Sequence, residues 1–116
     1  MAKTANQRGS RYSILIDETA KQLIQKAIKQ LKSLDKNGRL EDAAKETRDD
    51  LVTVLKDLHT AIYNHSASTD ATYESAAGLF EELQGWAPDK APEVQDAMDG
   101  LAVTMNLRAR QLMAKN

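Results

Sequence analysis

Apolar residues recur three and four positions apart through most of the 116-residue chain, the spacing that places them on one face of an α-helix. Four stretches carry this spacing, and they predict helices over about residues 18–34, 39–65, 70–84 and 91–114. The segments between them contain Asn-Gly at 37–38, Ser-Ala-Ser at 66–68 and Pro88, which are typical of turns and helix ends. The sequence therefore predicts an all-α fold.

The second predicted helix has the most regular pattern of the four. Its apolar and small residues alternate in steps of four and three, a heptad spacing that keeps one seam against a partner helix. The predicted seam consists of Leu40, Ala44, Thr47, Leu51, Val54, Leu58, Ala61 and His65. We expect either an up-and-down four-helix bundle, in which this seam is internal, or a helical hairpin that completes its bundle by dimerising.

The other three helices carry shorter apolar stripes. The predicted inner faces are Ala20, Leu23, Ile24, Ala27, Ile28 and Leu31 in the first helix, Tyr73, Ala76, Ala77, Phe80 and Leu83 in the third, and Val94, Met98, Leu101, Met105 and Leu112 in the fourth. Pro92 suits the first turn of a helix, because its missing N–H has no partner there. Trp86 is expected in the preceding loop, either folded over the core or exposed as a binding anchor.

The N-terminal segment has two interpretations. Residues 1–10 contain no large apolar side chain after Met1, so we expect a flexible basic tail ahead of a single helical domain over 11–116. The run Tyr-Ser-Ile-Leu-Ile at 12–16 is short and β-branched, which favours an extended segment followed by Asp17 as a helix N-cap. Alternatively, a serine at position 10 or 13 caps a longer helix that has Ile16 on its apolar stripe.

The composition favours helices and excludes several classes of protein. Ala and Leu are abundant, with five Gly and two Pro as helix breakers. Because the chain has no Cys, it has no disulfide, thiolate zinc site, iron–sulfur cluster or cysteine nucleophile. One Trp, three Tyr and one Phe are too few for a base-stacking surface. No apolar run is long enough to span a bilayer, so we expect a cytoplasmic protein without membrane contact.

The residue types that carry catalytic or metal chemistry are not arranged for it. His59 and His65 are six positions apart, which turns them about 240° from each other on a helix, so they cannot share a metal from that helix. Neither has a carboxylate three positions before it, as carboxylate di-metal bundles require. The sequence contains no glycine-rich phosphate loop and no Gly-x-Ser-x-Gly motif. We therefore expect a protein that is not an enzyme, with no catalytic residue, cofactor or metal.

The formal net charge of −1 conceals a strong separation of charge along the chain. Residues 1–38 contain eight Lys or Arg and three Asp or Glu, residues 39–100 contain five and fourteen, and residues 101–116 contain three and none. One interpretation is that complementary helix faces lie side by side in the bundle. The other is an acidic docking surface for a basic partner, formed by Asp49, Asp50, Asp57, Glu81, Glu82, Asp96 and Asp99, with Trp86 as another candidate contact.

The segment Arg-Tyr-Ser-Ile-Leu-Ile-Asp-Glu at 11–18, followed by Leu23-Ile24 and Ala27, resembles the opening strand and first helix of ribbon–helix–helix DNA-binding proteins. The resemblance covers about twenty residues. It implies two chains that pair their strands and insert the ribbon into the major groove of DNA. By the same resemblance, one face of the strand would present Arg11, Ser13 and Leu15, with Lys3 and Arg8 contacting phosphates.

The expected function from sequence is stoichiometric protein binding by a small, non-catalytic helical protein, of the bacterial or phage regulatory or accessory type, which we expect to form a homodimer. The alternative is a dimeric DNA-binding regulator that uses residues 3–16. A third possibility is a bundle that holds a small apolar ligand between its helices.

Overall fold

A computed structural model of the chain contains four helices. It describes the backbone of residues 2–34, 40–86 and 92–114, and the side chains of residues 15–34, 40–85 and 92–111. The helices are α1 (Ala2–Ser33), α2 (Asp42–Tyr63), α3 (Thr69–Trp86) and α4 (Pro92–Ala114). No strand occurs in these described ranges, so the all-α prediction is confirmed. The predicted turn at 35–38 and most of the predicted loop around Pro88 lie outside them.

α1 and α4 lie antiparallel and in close contact. Asp17, in the first half of α1, meets Arg108 near the end of α4, whereas Leu23 lies against Gly100, further toward the start of α4. A Cβ atom at Gly100 would lie 3.3 Å from Leu23 Cδ1, so the glycine allows the two helices to approach at this point.

α1 is antiparallel to α2 as well. Gln25 lies beside His59 near the end of α2, while the carbonyl of Leu31 meets Arg48 near its start. α2 in turn packs against α3. The direction of the chain alternates from helix to helix, and the molecule is an elongated up-and-down bundle with principal dimensions of 58 × 21 × 19 Å.

Side chains from all four helices form one continuous core. The predicted inner face of α1 is confirmed, with Ala20, Ile24, Ala27 and Leu31 fully buried and Leu23 and Ile28 packed at the edge of the core. α3 contributes Ala76, Phe80 and Leu83, and α4 contributes Val94, Ala97, Met98, Leu101 and Met105. α4 begins at Pro92, as predicted.

α2 is buried over a broader face than the heptad seam predicted. Leu51 and Leu58 of that seam are fully buried, but Val54 is only partly buried. Three apolar residues outside the seam, Val52, Leu55 and Ile62, are buried as well. α2 has neighbours on two sides, α1 and α3, so a single stripe cannot account for all of its contacts.

The predicted place of His65 on that seam is wrong, because α2 ends at Tyr63 and the His65 side chain is exposed. His65 instead ends the helix through its backbone, which has the left-handed φ of 52°. Its N–H donates to the carbonyl of Ile62, and the N–H of Ser66 donates to that of Ala61. This pair of hydrogen bonds is the Schellman arrangement, in which glycine is the usual left-handed residue.

The N-terminal segment differs from the extended prediction. α1 begins at Ala2, so residues 12–16 are helical as in the alternative left open by the sequence, but the helix is longer than that alternative predicted, because positions 10 and 13 lie inside it and neither serine is its N-cap. Ile16 is partly buried, and Asp17 lies inside the helix instead of capping it. The strand implied by the ribbon–helix–helix resemblance is therefore not formed. The backbone of residues 2–10, which were predicted to form a tail, is helical too. The flexibility of this segment stays a prediction.

Candidate functional site

The seam between α3 and α4 is the loosest in the described part of the bundle. The backbones of α1 and α4, of α2 and α3, and of α1 and α2 approach one another closely along their lengths. Those of α3 and α4 do not, and a groove of about 340 Å³ lies between them, open to solvent.

The groove is lined by apolar and polar side chains in similar measure. Its apolar lining consists of Tyr73, Ala77 and Phe80 from α3 and Met98 and Ala102 from α4. Phe80 and Met98 are buried and also belong to the core, so they form the base of the groove. Two carboxylates, Glu81 on α3 and Asp99 on α4, stand at the margin.

Two amides bridge the groove at one end. The Gln84 side chain donates from Nε2 to Gln95 Oε1, and Gln95 Nε2 donates to Asp99 Oδ1 at 2.7 Å. This chain of hydrogen bonds links α3 to α4 near the connection between them and orients the Asp99 carboxylate beside the groove. The other end, near Tyr73 and Ala102, has no bridging hydrogen bond among the described side chains.

Tyr73 places a phenol in the wall of the groove. Partial burial raises the pKa of Tyr73 above its ordinary value of 10.0, because the ionised ring would be poorly solvated there. The phenol is therefore neutral at physiological pH, and the groove wall presents an uncharged aromatic ring with one hydroxyl group.

The helices that form the groove carry charge of one sign over most of their length. The acidic residues are Asp70, Glu74, Glu81 and Glu82 in α3 and Glu93, Asp96 and Asp99 in α4, and no Lys or Arg occurs in either helix before Arg108. All of these carboxylates are exposed. Like charges on both helices disfavour a close approach of α3 and α4.

The structure brings together only some of the acidic residues predicted to form one docking surface. Asp50 and Asp57, seven positions apart, share a side of α2 that is turned about 200° from Arg48 and His59, the residues that meet α1. Glu81 lies at the groove, whereas Glu82 is turned about 100° away from it. The structure thus joins Glu81 with Asp99 at the groove, and no carboxylate of α2 is part of the groove lining.

Asp49 has a structural contact of its own. Its Oδ1 accepts a hydrogen bond of 2.6 Å from Nε of Arg48, which is buried against α1. Asp49 therefore balances a charge of the bundle itself, which makes it a poor candidate for a partner surface.

The remaining candidate residues are located only by their backbone. Trp86 is the last residue of α3, where the sequence predicted a loop, and its side chain lies outside the described ones. Lys3, Arg8, Arg11 and Ser13, the candidate DNA contacts, lie on the N-terminal part of α1, and their side chains are also outside the described ones.

A second polar cluster, missed in the sequence, lies at the opposite end of the bundle from the two amides. Arg108 Nε donates to Asp17 Oδ1 at 3.0 Å, and both side chains are nearly nine-tenths buried. His65 Nδ1 lies 3.8 Å from the other carboxylate oxygen of Asp17. The cluster ties α1 to α4 and approaches the turn after α2, so we assign it to stability. The only signal in the sequence is that Asp17 lies at helical spacing from the inner face of α1, three positions before Ala20. This spacing could have indicated that the Asp17 carboxylate points inward.

Replacing Asp17 with asparagine is expected to lower the free energy of unfolding by about 2 kcal/mol, because the buried Arg108 charge loses its counter-ion. Urea denaturation measures this effect, and a double-mutant cycle with Arg108→Met should give a favourable coupling energy of about 1–2 kcal/mol. His65→Asn is the matched control, since its side chain is exposed and asparagine tolerates a left-handed backbone. A cycle with no coupling would contradict the role of the pair.

The described residues show no arrangement that would hold a metal. No group of three or more His, Asp or Glu side chains converges there. The described helices likewise include none with the length and apolar character needed to cross a membrane.

Comparison with known proteins gives no relative from which a role could be transferred. The chain matches no protein-family model, no curated protein and no solved structure at a significant level.

Proposed function

We propose that this protein is a non-catalytic helical protein that acts by stoichiometric binding of another protein through an acidic surface of α3 and α4. The observation that carries the proposal is the coincidence of an open groove, which has apolar side chains at its base, with carboxylates of one sign on both helices that border it. Such a combination can bury apolar side chains of a partner while attracting its basic residues.

The rest of the bundle supports this role by its rigidity. The core beneath the groove includes Phe80, Met98 and Leu101, all buried, and no described side chain leaves a buried polar atom without a hydrogen bond. A surface on a well-packed scaffold loses little conformational entropy when a partner docks.

The proposal is tested by affinity capture from the producing cell with charge-reversed bait. Reversal of Glu81, Glu82 and Asp96, which are exposed residues of α3 and α4, to lysine should abolish recovery of the protein partner while circular dichroism shows unchanged helicity. Asp49 stays unchanged in this bait, because its reversal would place a second positive charge beside the buried Arg48. A control bait carries three reversals at Glu41, Asp42 and Glu46, which are exposed residues at the start of α2.

The outcomes separate the proposed function from the alternative. Recovery that is lost with the first bait and retained with the control supports binding through the acidic surface. Recovery that survives in both baits contradicts it. Recovery that disappears after nuclease treatment, and falls steeply with added salt, would instead support DNA binding through the basic residues of 3–16.

A further inference from the structure

We infer that the α3–α4 groove is the docking site for a basic amphipathic helix of the partner protein. This inference rests on the proposed function and specifies the site and the chemistry of its ligand. The groove runs between two antiparallel helices, α3 and α4, and is open along one side. An open groove between helices, with apolar side chains at its base and polar ones at its margin, is a site into which a third amphipathic helix can lay its apolar face.

The dimensions of the groove set the length of the ligand. Its lining extends along α3 from Tyr73 to Gln84, which is about 16 Å at the rise of an α-helix. A docked helix of about three turns covers that distance. It would place apolar side chains at positions i, i+3 or i+4, and i+7 over Phe80, Met98 and the small residues beside them.

The charge of the groove selects a basic ligand. Glu81 and Asp99 border the apolar lining from opposite sides, and both helices lack a positive charge until Arg108. A helix with Lys or Arg on both flanks of its apolar stripe would relieve the repulsion between α3 and α4 as it binds. An acidic helix would increase that repulsion. The groove therefore selects its ligand by the sign of the ligand's charge as well as by its shape.

The basic N-terminal segment of this chain is a poor occupant of a second copy's groove. Residues 2–11 carry Lys3, Arg8 and Arg11 but no large apolar side chain. Such a segment could supply charge without apolar anchors. A peptide of residues 2–11 therefore serves as a control that tests charge alone.

The test uses the whole protein and a fluorescently labelled helical peptide with a stripe of leucines flanked by lysines. We expect this probe to bind at least tenfold more tightly than a scrambled peptide of the same composition and than the 2–11 peptide, as measured by fluorescence anisotropy. Removal of two bordering charges in Glu81→Gln/Asp99→Asn should weaken binding about tenfold. The matched variant Glu41→Gln/Glu46→Gln removes the same charge at the start of α2 and should change binding less than about twofold.

A steric pair of variants tests the location independently of charge. Ala102→Trp fills the groove at an exposed position and should abolish binding of the probe. Val103→Trp adds the same bulk at the adjacent exposed residue, which is not part of the lining, and should leave binding intact. Circular dichroism establishes that both variants fold.

Failure of this inference is distinguishable from failure of the proposed function. If Ala102→Trp binds the probe as tightly as Val103→Trp does, the groove is not the site. If the scrambled peptide binds as well as the probe, amphipathicity is not what is recognised. Either result overturns the inference and leaves the capture experiment to decide whether the protein binds a partner through other acidic residues.

Discussion

Replacing Leu55 with alanine is expected to lower the free energy of unfolding by about 3 kcal/mol, within the range measured for buried leucines in other proteins. Leu55 is fully buried near the middle of α2, in the core shared by all four helices. The substitution removes most of a buried side chain, and helices on both sides of α2 limit how far the core can collapse around the cavity. Urea denaturation followed by circular dichroism measures the loss.

Val54→Ala is the matched control, because it shortens the adjacent apolar residue of the same helix. Val54 is only partly buried, so we expect a loss of about 1 kcal/mol. The comparison also decides between two descriptions of α2, since the heptad seam in the sequence includes Val54 and omits Leu55. If Val54→Ala lowered the free energy of unfolding more than Leu55→Ala does, the result would contradict the burial of Leu55 in the core.

The fold class could be predicted from the sequence because helix periodicity is a local signal. It indicated four helices, the buried face of α1 and most of the buried faces of α3 and α4, although Tyr73 and Ala77 are only partly buried and the predicted core residue Leu112 lies outside the described side chains. On α2 it selected one stripe, whereas the helix contacts α1 and α3 and buries Val52, Leu55 and Ile62 as well. A strict heptad pattern describes contact with one partner helix, and the number of neighbours of a helix is not a local property.

The extended interpretation of residues 12–16, with Asp17 as a helix N-cap, failed for a related reason. An aspartate before a helical stretch is a good N-cap by local criteria, and β-branched residues ahead of it favour an extended chain. In the structure the carboxylate of Asp17 is occupied by Arg108, which is 91 positions later in the chain. A long-range ion pair of this kind leaves no signal within either segment, so local propensity gave the wrong element.

Part of the candidate site was visible in the sequence and part was not. The acidic middle of the chain and the residues Glu81 and Asp99 could be identified by counting charges. The groove could not, because it depends on the distance between α3 and α4. Nor could the sequence show that Asp49 contacts Arg48, which removes it from the partner surface, or that Asp50 and Asp57 lie on a different helix face from Glu81.

Arg48→Met is expected to lower the free energy of unfolding by about 2–3 kcal/mol, because it removes charge-assisted hydrogen bonds made in the interior. Arg48 is 4% exposed, and its Nη1 donates at 3.1 Å to the carbonyl of Leu31. That carbonyl belongs to the last turn of α1, where helix carbonyls lack intrahelical partners. Methionine keeps much of the apolar stem, so the change reports mainly on the guanidinium group.

Two further variants at arginine positions test this explanation. Arg110→Met makes the same chemical change at an exposed position of α4 and should alter stability by no more than about 0.5 kcal/mol. Arg48→Lys keeps the positive charge but cannot donate to Leu31 and Asp49 in the same planar geometry, so we expect an intermediate loss. If Arg48→Met lowered the free energy of unfolding as little as Arg110→Met does, the Arg48 guanidinium would not be the group that joins the end of α1 to α2. A graded series would instead show that the basic α1 and the acidic α2 are held together by one buried contact as well as by the apolar core.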